Sequence, residues 1–216
     1  YSLIDSIFIK NNAVKISNVS RETLKELNDY RNSIILKNKD INLISASTEK
    51  SINSRHIIDS AQTIDFIENI EINTCTDLGS GAGLPGMVLA ILMKHKKPQF
   101  KVIFYEKSYH KSKFLVDMSK KFKLNTKVYQ KNIFEEKNLS TDVIIARAFK
   151  PLPIIFQIAE KNFKNFKFII LFLGKSGKKI LKETLKYWEF DYEQKKSLTN
   201  SESIIIKISN LRKKNG

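Results

Sequence analysis

The stretch that decides the fold is Thr76-Asp77-Leu78-Gly79-Ser80-Gly81-Ala82-Gly83-Leu84-Pro85-Gly86, which places four of the chain's seven glycines within eight residues. An apolar run at residues 70–75 precedes this stretch, and a second apolar run at residues 87–93 follows it. This order predicts a strand, a tight glycine turn and a helix, with Pro85 near the first helical position. Such a turn lets backbone approach a ligand closely and points helix N-terminal amides at it.

The spacing of these glycines separates two classes of ligand. The dinucleotide fingerprint G-x-G-x-x-G needs a third glycine at the position that Leu84 occupies. The spacing is instead Gly79-x-Gly81-x-Gly83, with Asp77 two residues upstream of the first glycine. At the end of a strand, this pattern resembles motif I of class I methyltransferases, which bind S-adenosylmethionine (SAM). The resemblance implies that Asp77 and the three glycines belong to the cofactor site.

A second acid supports the methyltransferase interpretation. Glu106 follows the strand-like run at residues 102–105. A carboxylate at that place can accept hydrogen bonds from both ribose hydroxyls of an adenosine, as it does in Rossmann folds. Two alternatives stay open at this point: a glycine turn with a purely structural role, and a dinucleotide site with unusual spacing.

Length and composition suit one domain, or one domain with a modest extension. The chain has 216 residues, of which 42% are hydrophobic, so it can fill a sizeable core. No apolar run is long enough for a membrane span, and the first residues lack the pattern of a secretory leader. The single cysteine, Cys75, lies in a predicted buried strand, where we expect a structural thiol. These features predict a cytoplasmic protein.

The charge is strongly positive and unevenly distributed. The formal net charge is +16, yet residues 1–80 hold 9 basic and 11 acidic side chains. Residues 94–131 hold 12 lysines against two acids, and residues 161–214 hold 14 basic against 5 acidic side chains. A near-neutral first part joined to a basic remainder favours a nucleic-acid-binding face on the catalytic part. The alternative is a solvated lysine coat that reflects compositional drift.

The first part of the chain has a helical pattern and no strand of its own. A short helix is expected at residues 2–11, and a longer helix, capped by Ser17 or Ser20, is expected to follow it. We therefore expect an N-terminal helical extension over residues 1–70 and a catalytic domain over residues 71–216, packed together as one unit.

After the glycine turn, the pattern alternates between strand and helix. Strands are expected at residues 102–105, 126–130, 143–146 and 168–173, with helices at 109–123, from Pro151 onward and at 178–188. Two last strands, near residues 190–198 and 203–208, are expected to pair antiparallel at the sheet edge. Apolar strands that alternate with helices indicate an α/β fold with a mostly parallel sheet. With the terminal antiparallel pair, this pattern resembles the Rossmann-like fold of class I SAM-dependent methyltransferases, which we therefore expect.

Four sequence anchors narrow this class to a family. They are Asn42-Leu43-Ile44-Ser45, Arg55-His56-Ile57-Ile58-Asp59-Ser60, Gly83-Leu84-Pro85-Gly86 and Ala146-Arg147-Ala148-Phe149. In order and spacing they resemble the bacterial small-subunit rRNA 7-methylguanosine methyltransferases, also called the glucose-inhibited division protein B family. The resemblance implies SAM as cofactor, 16S rRNA as partner, and methyl transfer to nitrogen-7 of a guanine in the decoding region.

The resemblance also implies which residues meet the cofactor. By the family pattern, Gly79, Leu84, the backbone of Ile133 and Phe134, and Arg147 contact SAM. An arginine beside the positive sulfur would be repelled, so Arg147 is expected to meet the carboxylate of SAM or an RNA phosphate. A strand-end surface ion pair is the alternative role for this arginine.

Arg55, His56 and Asp59 share one helical face, and two roles are open for them. They can close over the methyl site and hold the base or a phosphate. Alternatively, an Arg55–Asp59 pair can fix the N-terminal helices to the sheet. Because nitrogen-7 of guanine carries a lone pair and no proton, we expect positioning from this cluster and no general-base catalysis.

The remaining expectations concern partners. Lys111, Lys113 and Lys175 are candidates for RNA contacts, with a solvated face as the alternative. His95 and His110 lack the spacing of metal ligands, so no metal is expected, and we expect a monomer. An NAD(P)-dependent oxidoreductase and a non-catalytic SAM-fold protein that binds RNA are the alternatives to the methyltransferase.

Overall fold

The computed structural model describes residues 19–49 and 52–214, without the side chains of residues 47, 48 and 53–55. The helix expected at residues 2–11 and the cap candidate Ser17 lie outside the described residues.

The helical elements begin with a run that precedes the sheet. They are α1 (Arg21–Asn38), α2 (Ala46–Glu49), a π-helical segment (Ile52–Ile58), α3 (Asp59–Ala61) and a 3₁₀-helix (Gln62–Phe66). Those that follow are α4 (Gly86–Met93), α5 (Tyr109–Lys121), a 3₁₀-helix (Ile133–Glu135), α6 (Leu152–Asn162) and α7 (Gly177–Thr184). Ser20 caps α1, because its hydroxyl oxygen accepts a hydrogen bond from the Thr23 amide at 3.1 Å. In the described part of the chain, no helix combines the length and the apolar character of a membrane span.

The strands form a seven-stranded sheet and a separate two-stranded pair. They are β1 (Thr74–Leu78), β2 (Lys101–Tyr105), β3 (Thr126–Tyr129), β4 (Leu139–Ser140), β5 (Val143–Ala146), β6 (Phe163–Asn165), β7 (Phe168–Leu173), β8 (Trp188–Lys196) and β9 (Ile204–Lys213). The large sheet has the order β3-β2-β1-β5-β7-β9-β8, with β4 and β6 paired separately. Its first five strands run parallel, whereas β9 is antiparallel to both β7 and β8. This topology confirms the predicted fold class.

Two apolar clusters cover the two faces of the sheet. On one face, all eight residues of α4 are buried, and Leu27, Tyr30 and Ile34 of α1 belong to the same cluster. On the other face, Phe156 of α6 packs with residues of β5, β7 and β9. The helices that precede the sheet therefore share a continuous core with it, which places α1 directly behind the glycine turn.

Several element boundaries differ from the sequence prediction; the last strand, expected at residues 203–208, runs from Ile204 to Lys213. Two of the differences bear on packing and on the site. The helix predicted at residues 178–188 ends at Thr184, and Trp188 begins β8. Trp188 and Phe190 are buried on one face of that strand, with ring centres 5.4 and 5.2 Å from the ring of Phe156. This aromatic packing needs a strand's period of two, which a helix cannot supply. In addition, β1 begins at Thr74, within the apolar run of residues 70–75, and extends to Leu78, so Asp77 lies inside the strand.

Candidate cofactor site

The glycine turn follows β1 at the carboxyl edge of the parallel strands, where ligands bind in open α/β sheets. Gly79, Gly81 and Gly83 have φ angles of +65°, +56° and +90°. L-residues with side chains rarely adopt this left-handed region. A Cβ atom on Gly81 would meet no atom closer than the Gly79 carbonyl oxygen at 3.9 Å, so this position faces open space. A Cβ atom on Gly83 would lie 2.7 Å from Leu115 Cδ2, so this glycine is needed for packing.

Three side chains from three elements fix the turn. Glu106, after β2, accepts two hydrogen bonds, each at 2.8 Å. The Gly81 amide donates to Oε2 and the Ser108 amide donates to Oε1. Asp77, in β1, accepts the Gly86 amide on Oδ2 at 2.9 Å. The Tyr30 hydroxyl of α1 donates to the Ala82 carbonyl oxygen at 2.6 Å. Hydrogen bonds with these three side chains thus hold the backbone of the turn in place, which preorganises it for a ligand.

Asp77 lies behind the turn and not in a cleft. Its side chain is 1% exposed. Burial raises its pKa to about 7, the hydrogen bond from Gly86 opposes that rise, and the neighbouring Glu106 carboxylate adds to it. The expectation that the first amide of α4 points at the ligand is wrong for Gly86, because that amide donates to Asp77. The geometry gives Asp77 the role of holding the turn and the helix together.

A cleft of about 410 Å³ opens beside the turn. Eleven residues line it: Gly79, Tyr105, Glu106, Lys107, Lys111, Lys131, Asn132, Ile133, Phe134, Phe149 and Lys150. The lining brings together four predicted cofactor residues, namely Gly79, Glu106, Ile133 and Phe134. The structure does not place Asp77, Gly81, Gly83, Leu84 or Arg147 in this lining. Leu84 is 8% exposed and packs in the core.

The loop after β3 lines the same cleft as Glu106. Asn132 Oδ1 accepts the Phe134 amide at 3.3 Å, and Asn162 of α6 donates to the Ile133 carbonyl oxygen at 2.8 Å. The Phe134 side chain is 47% exposed, and its ring centre lies 6.3 Å from that of Phe149. A rigid loop with an exposed ring is suited to framing a flat heterocycle.

Arg147 follows β5 at the same edge of the sheet but turns toward the N-terminal helices. Its Nη1 donates to the His56 carbonyl oxygen at 3.3 Å and to Ser60 Oγ at 3.4 Å, and Nη2 lies 3.7 Å from Asp59 Oδ2. The guanidinium carbon also lies 4.9 Å from the ring centre of Phe172. Burial lowers the pKa of Arg147, and Asp59 opposes that shift. The predicted alternative of a surface pair is wrong in one respect, because the Arg147 side chain is only 15% exposed.

The predicted Arg55–His56–Asp59 cluster is partly described. The side chain of Arg55 lies outside the described residues, and His56 contributes its carbonyl oxygen to Arg147. Asp59 accepts a hydrogen bond from Ser197 Oγ at 2.8 Å on Oδ1 and faces Arg147 with Oδ2. Asp59 therefore joins the helical segment to the end of β5 and to the loop between β8 and β9.

The three lysines that were candidates for RNA contacts lie in different surroundings. Lys111 lines the cofactor cleft. Lys113 is 3.5 Å from Asp117, and Lys175 is 3.2 Å from Glu202. Among the described residues, no group of three or more His, Cys, Asp or Glu side chains could hold a metal ion.

Sequence reasoning missed several residues of the site. Tyr30 showed only helical periodicity, which identified it as a core residue and gave no sign of its bond to the turn. Phe149 stood in a family anchor without an assigned role, although its ring packs against Gly79 of the turn and lines the cleft. No sequence pattern indicated Lys150 or Asn132. They line the cleft because of where β5 and β3 end in the sheet.

The sheet order and the glycine turn define the fold of class I SAM-dependent methyltransferases. Two solved structures share this fold: the 16S rRNA methylase RmtB, with a TM-score of 0.54, 10% identity and coverage of 95% of this chain and 81% of that one, and an Escherichia coli rRNA methylase, with a TM-score of 0.53, 9% identity and coverage of 95% and 82%. At such identities the likeness shows the fold alone.

Sequence comparison is more specific. The family model described as rRNA small subunit methyltransferase G matches residues 23–207. The protein of that name from Pelagibacter ubique is 47% identical over 98% of this chain and 100% of its own length. The one from Ruegeria pomeroyi is 33% identical over 89% of this chain and 93% of its own length. The chain therefore belongs to the rRNA small subunit methyltransferase G family, as the four sequence anchors indicated.

Proposed function

We propose that this protein transfers the methyl group of SAM to nitrogen-7 of a guanine in the decoding region of 16S rRNA. Its family membership supports methyl transfer to small-subunit rRNA and decides against the NAD(P)-dependent alternative. The observation that carries the proposal is the Glu106 carboxylate, which lines the cleft and is fixed by the amide of the central glycine of the turn.

The residues of the cleft fit the adenosine part of SAM. Glu106 uses one lone pair on each oxygen for an amide, so each oxygen can still accept a ribose hydroxyl. The open space at Gly81 lets a ligand lie against the turn. The exposed Phe134 ring and the Ile133 backbone offer a surface for adenine.

Bound SAM would supply an electrophilic methyl group on a positive sulfur. Nitrogen-7 of guanine would take the methyl group with its own lone pair as the methyl–sulfur bond breaks, releasing neutral S-adenosylhomocysteine. The positive charge would pass to the base, so the protein has no proton to remove. The task of the protein is then to align the guanine with the methyl group and to exclude water. A reaction without a general base agrees with the surroundings of Asp59, the one described carboxylate of the polar cluster. Asp59 accepts a hydrogen bond from the Ser197 hydroxyl and faces the Arg147 guanidinium.

Arg147 is proposed to hold the carboxylate of SAM, with Asp59 and Ser60 orienting the guanidinium. Its position after β5, beside the strand that carries the turn, supports this role. Gly79, Gly83 and Leu84 are proposed to act through the backbone and packing of the turn. We further propose that the protein works as a monomer in the cytoplasm, where small subunits are assembled.

Calorimetric titration and a turnover assay test the proposal together. SAM should bind and NADH should not, and labelled methyl groups should pass from SAM to unmodified 16S rRNA. Tight NADH binding without SAM binding would end the methyltransferase proposal. SAM binding without turnover on rRNA would favour the non-catalytic RNA-binding alternative.

A further inference from the structure

The charge around the cofactor cleft does not match the charge of the cofactor. Four of its eleven lining residues are lysines: Lys107, Lys111, Lys131 and Lys150. The lining contains one carboxylate, Glu106, and both of its oxygens already accept backbone amides. SAM carries a positive sulfonium, a positive ammonium and one carboxylate, and the carboxylate is assigned to Arg147, so further positive charge at its site opposes binding. The lysines therefore suit an anionic partner other than the cofactor.

Three of these lysines lack an acidic partner in the described part of the chain. Lys131 pairs with Glu136 at 2.9 Å, but no ion pair within 4.0 Å involves Lys107, Lys111 or Lys150. Lys107 and Lys150 are exposed, and Lys150 Nζ lies 5.8 Å from the centre of the Phe134 ring. The three ammonium groups are thus available to a ligand at the opening of the cleft.

Their positions also give no local stability. Lys111 lies in the first turn of α5, where the helix dipole disfavours a cation. Lys107 comes directly before Ser108, the N-cap of α5, and Lys150 directly before Pro151, the N-cap of α6. Each lysine adds positive charge to the positive end of a helix, so the local potential favours an anion.

We propose that Lys107, Lys111 and Lys150, here called the cleft-mouth lysines, bind backbone phosphates of the substrate RNA and place the RNA across the opening of the cofactor cleft. The inference rests on the proposed function, because it assigns the surface on which that function's substrate lies. It separates these lysines from Lys113 and Lys175, whose ammonium groups face carboxylates. Phosphates are the anions that a lysine cluster recognises without sequence readout.

The test compares two triple variants of equal charge. One carries Lys107→Gln, Lys111→Gln and Lys150→Gln. The control carries Lys164→Gln, Lys186→Gln and Lys213→Gln, three exposed lysines near the opposite, amino edge of the sheet. Thermal melting establishes that both variants fold, and the affinities for unmodified 16S rRNA and for SAM are measured at several salt concentrations.

The cleft-mouth variant should bind RNA at least ten-fold more weakly than the control variant. Its log-affinity against log-salt slope should fall by up to about 2, since each phosphate contributes about 0.7. SAM should bind it as tightly as it binds the wild type, or more tightly, because three like charges are gone. Equal RNA affinity of the two triple variants would overturn the inference, as would a loss of SAM affinity as large as that of RNA. Failure of the proposed function is distinct, because the wild type would then transfer no methyl group to rRNA.

Discussion

Replacing Glu106 with glutamine is the perturbation whose outcome the structure defines most closely. The carboxylate presents two oxygens to two amides, those of Gly81 and Ser108, both at 2.8 Å. Glutamine has one oxygen and one NH₂ group, so one amide of the pair must face a donor. The substitution therefore removes the charge from both bonds and leaves one of them unmade.

The expected magnitude follows from these two bonds. Hydrogen bonds to a charged group contribute about 1.5–3 kcal/mol each, and a buried donor without a partner costs about 1–3 kcal/mol. Loss of about 1.5 kcal/mol or more at the ribose contact weakens SAM binding about ten-fold or more. Misfit at the turn should lower the free energy of unfolding by about 1–3 kcal/mol and Tm by about 2–4 °C for each kcal/mol.

Titration calorimetry with SAM and a melting curve measure the two effects. Glu135→Gln is the matched control, because Glu135 is an exposed carboxylate in the loop after β3 and accepts a hydrogen bond from the Asn132 side chain at 2.9 Å. Glu135→Gln should leave SAM affinity within about two-fold of the wild type. Wild-type affinity in Glu106→Gln, or equal losses in both variants, would refute the assignment of the ribose contact.

Three further substitutions test how the turn is built. Tyr30→Phe removes the hydrogen bond from Tyr30 to the turn and should weaken SAM binding by about two- to ten-fold, the equivalent of one neutral hydrogen bond. The control Thr184→Val loses a 2.7 Å hydrogen bond far from the turn and should leave SAM binding unchanged. Gly81→Ala places a methyl group at φ +56° with only the Gly79 carbonyl oxygen nearby, at 3.9 Å, and should reduce SAM affinity at least ten-fold in a folded protein. Gly174→Ala, whose methyl group meets no atom within 4 Å, should bind SAM normally. Burial raises the pKa of Asp77 to about 7 in the folded protein, whereas an unfolded chain has an Asp pKa of about 3.9. The contribution of Asp77 to the free energy of unfolding is therefore full below about pH 4 and is lost as the pH rises toward 7. The loss amounts to about 1.4 kcal/mol per pH unit. Denaturant unfolding of Asp77→Asn should lack that slope, and an identical slope in both proteins would assign it to another group.

The sequence was informative where local pattern and chemistry coincide. The glycine turn, the acid after β2 and the alternation of apolar strands with helices each have a short-range cause, and they predicted the sheet and its antiparallel edge. The predicted element boundaries were wrong where tertiary packing determines the secondary structure. Trp188 is an example, because its ring packs against Phe156 from a strand and not from the predicted helix. A contact such as that of Tyr30 with Ala82 joins residues far apart in the chain, so no local pattern reveals it.

The site residues show the same difference between local and long-range causes. Glu106 was predicted from its place at a strand end, and the structure puts it in the cleft. Asp77 was expected in the same site, but a strand residue alternates between faces, and its carboxylate lies under α4. Whether Arg147 turns toward the cleft or toward Asp59 depends on a partner that lies 88 residues earlier in the chain, and no local pattern predicts that contact.

Mass-spectrometric mapping of the transferred methyl group determines whether the protein methylates nitrogen-7 of a guanine in 16S rRNA. Unmodified total rRNA is incubated with the protein and isotope-labelled SAM, then digested and sequenced by mass. We expect one labelled 7-methylguanosine in the decoding region of 16S rRNA, formed at least about five-fold more slowly when Glu106→Gln replaces the wild type at a SAM concentration equal to the wild-type dissociation constant. Label on another atom, on 23S rRNA, or scattered over many guanines would contradict it.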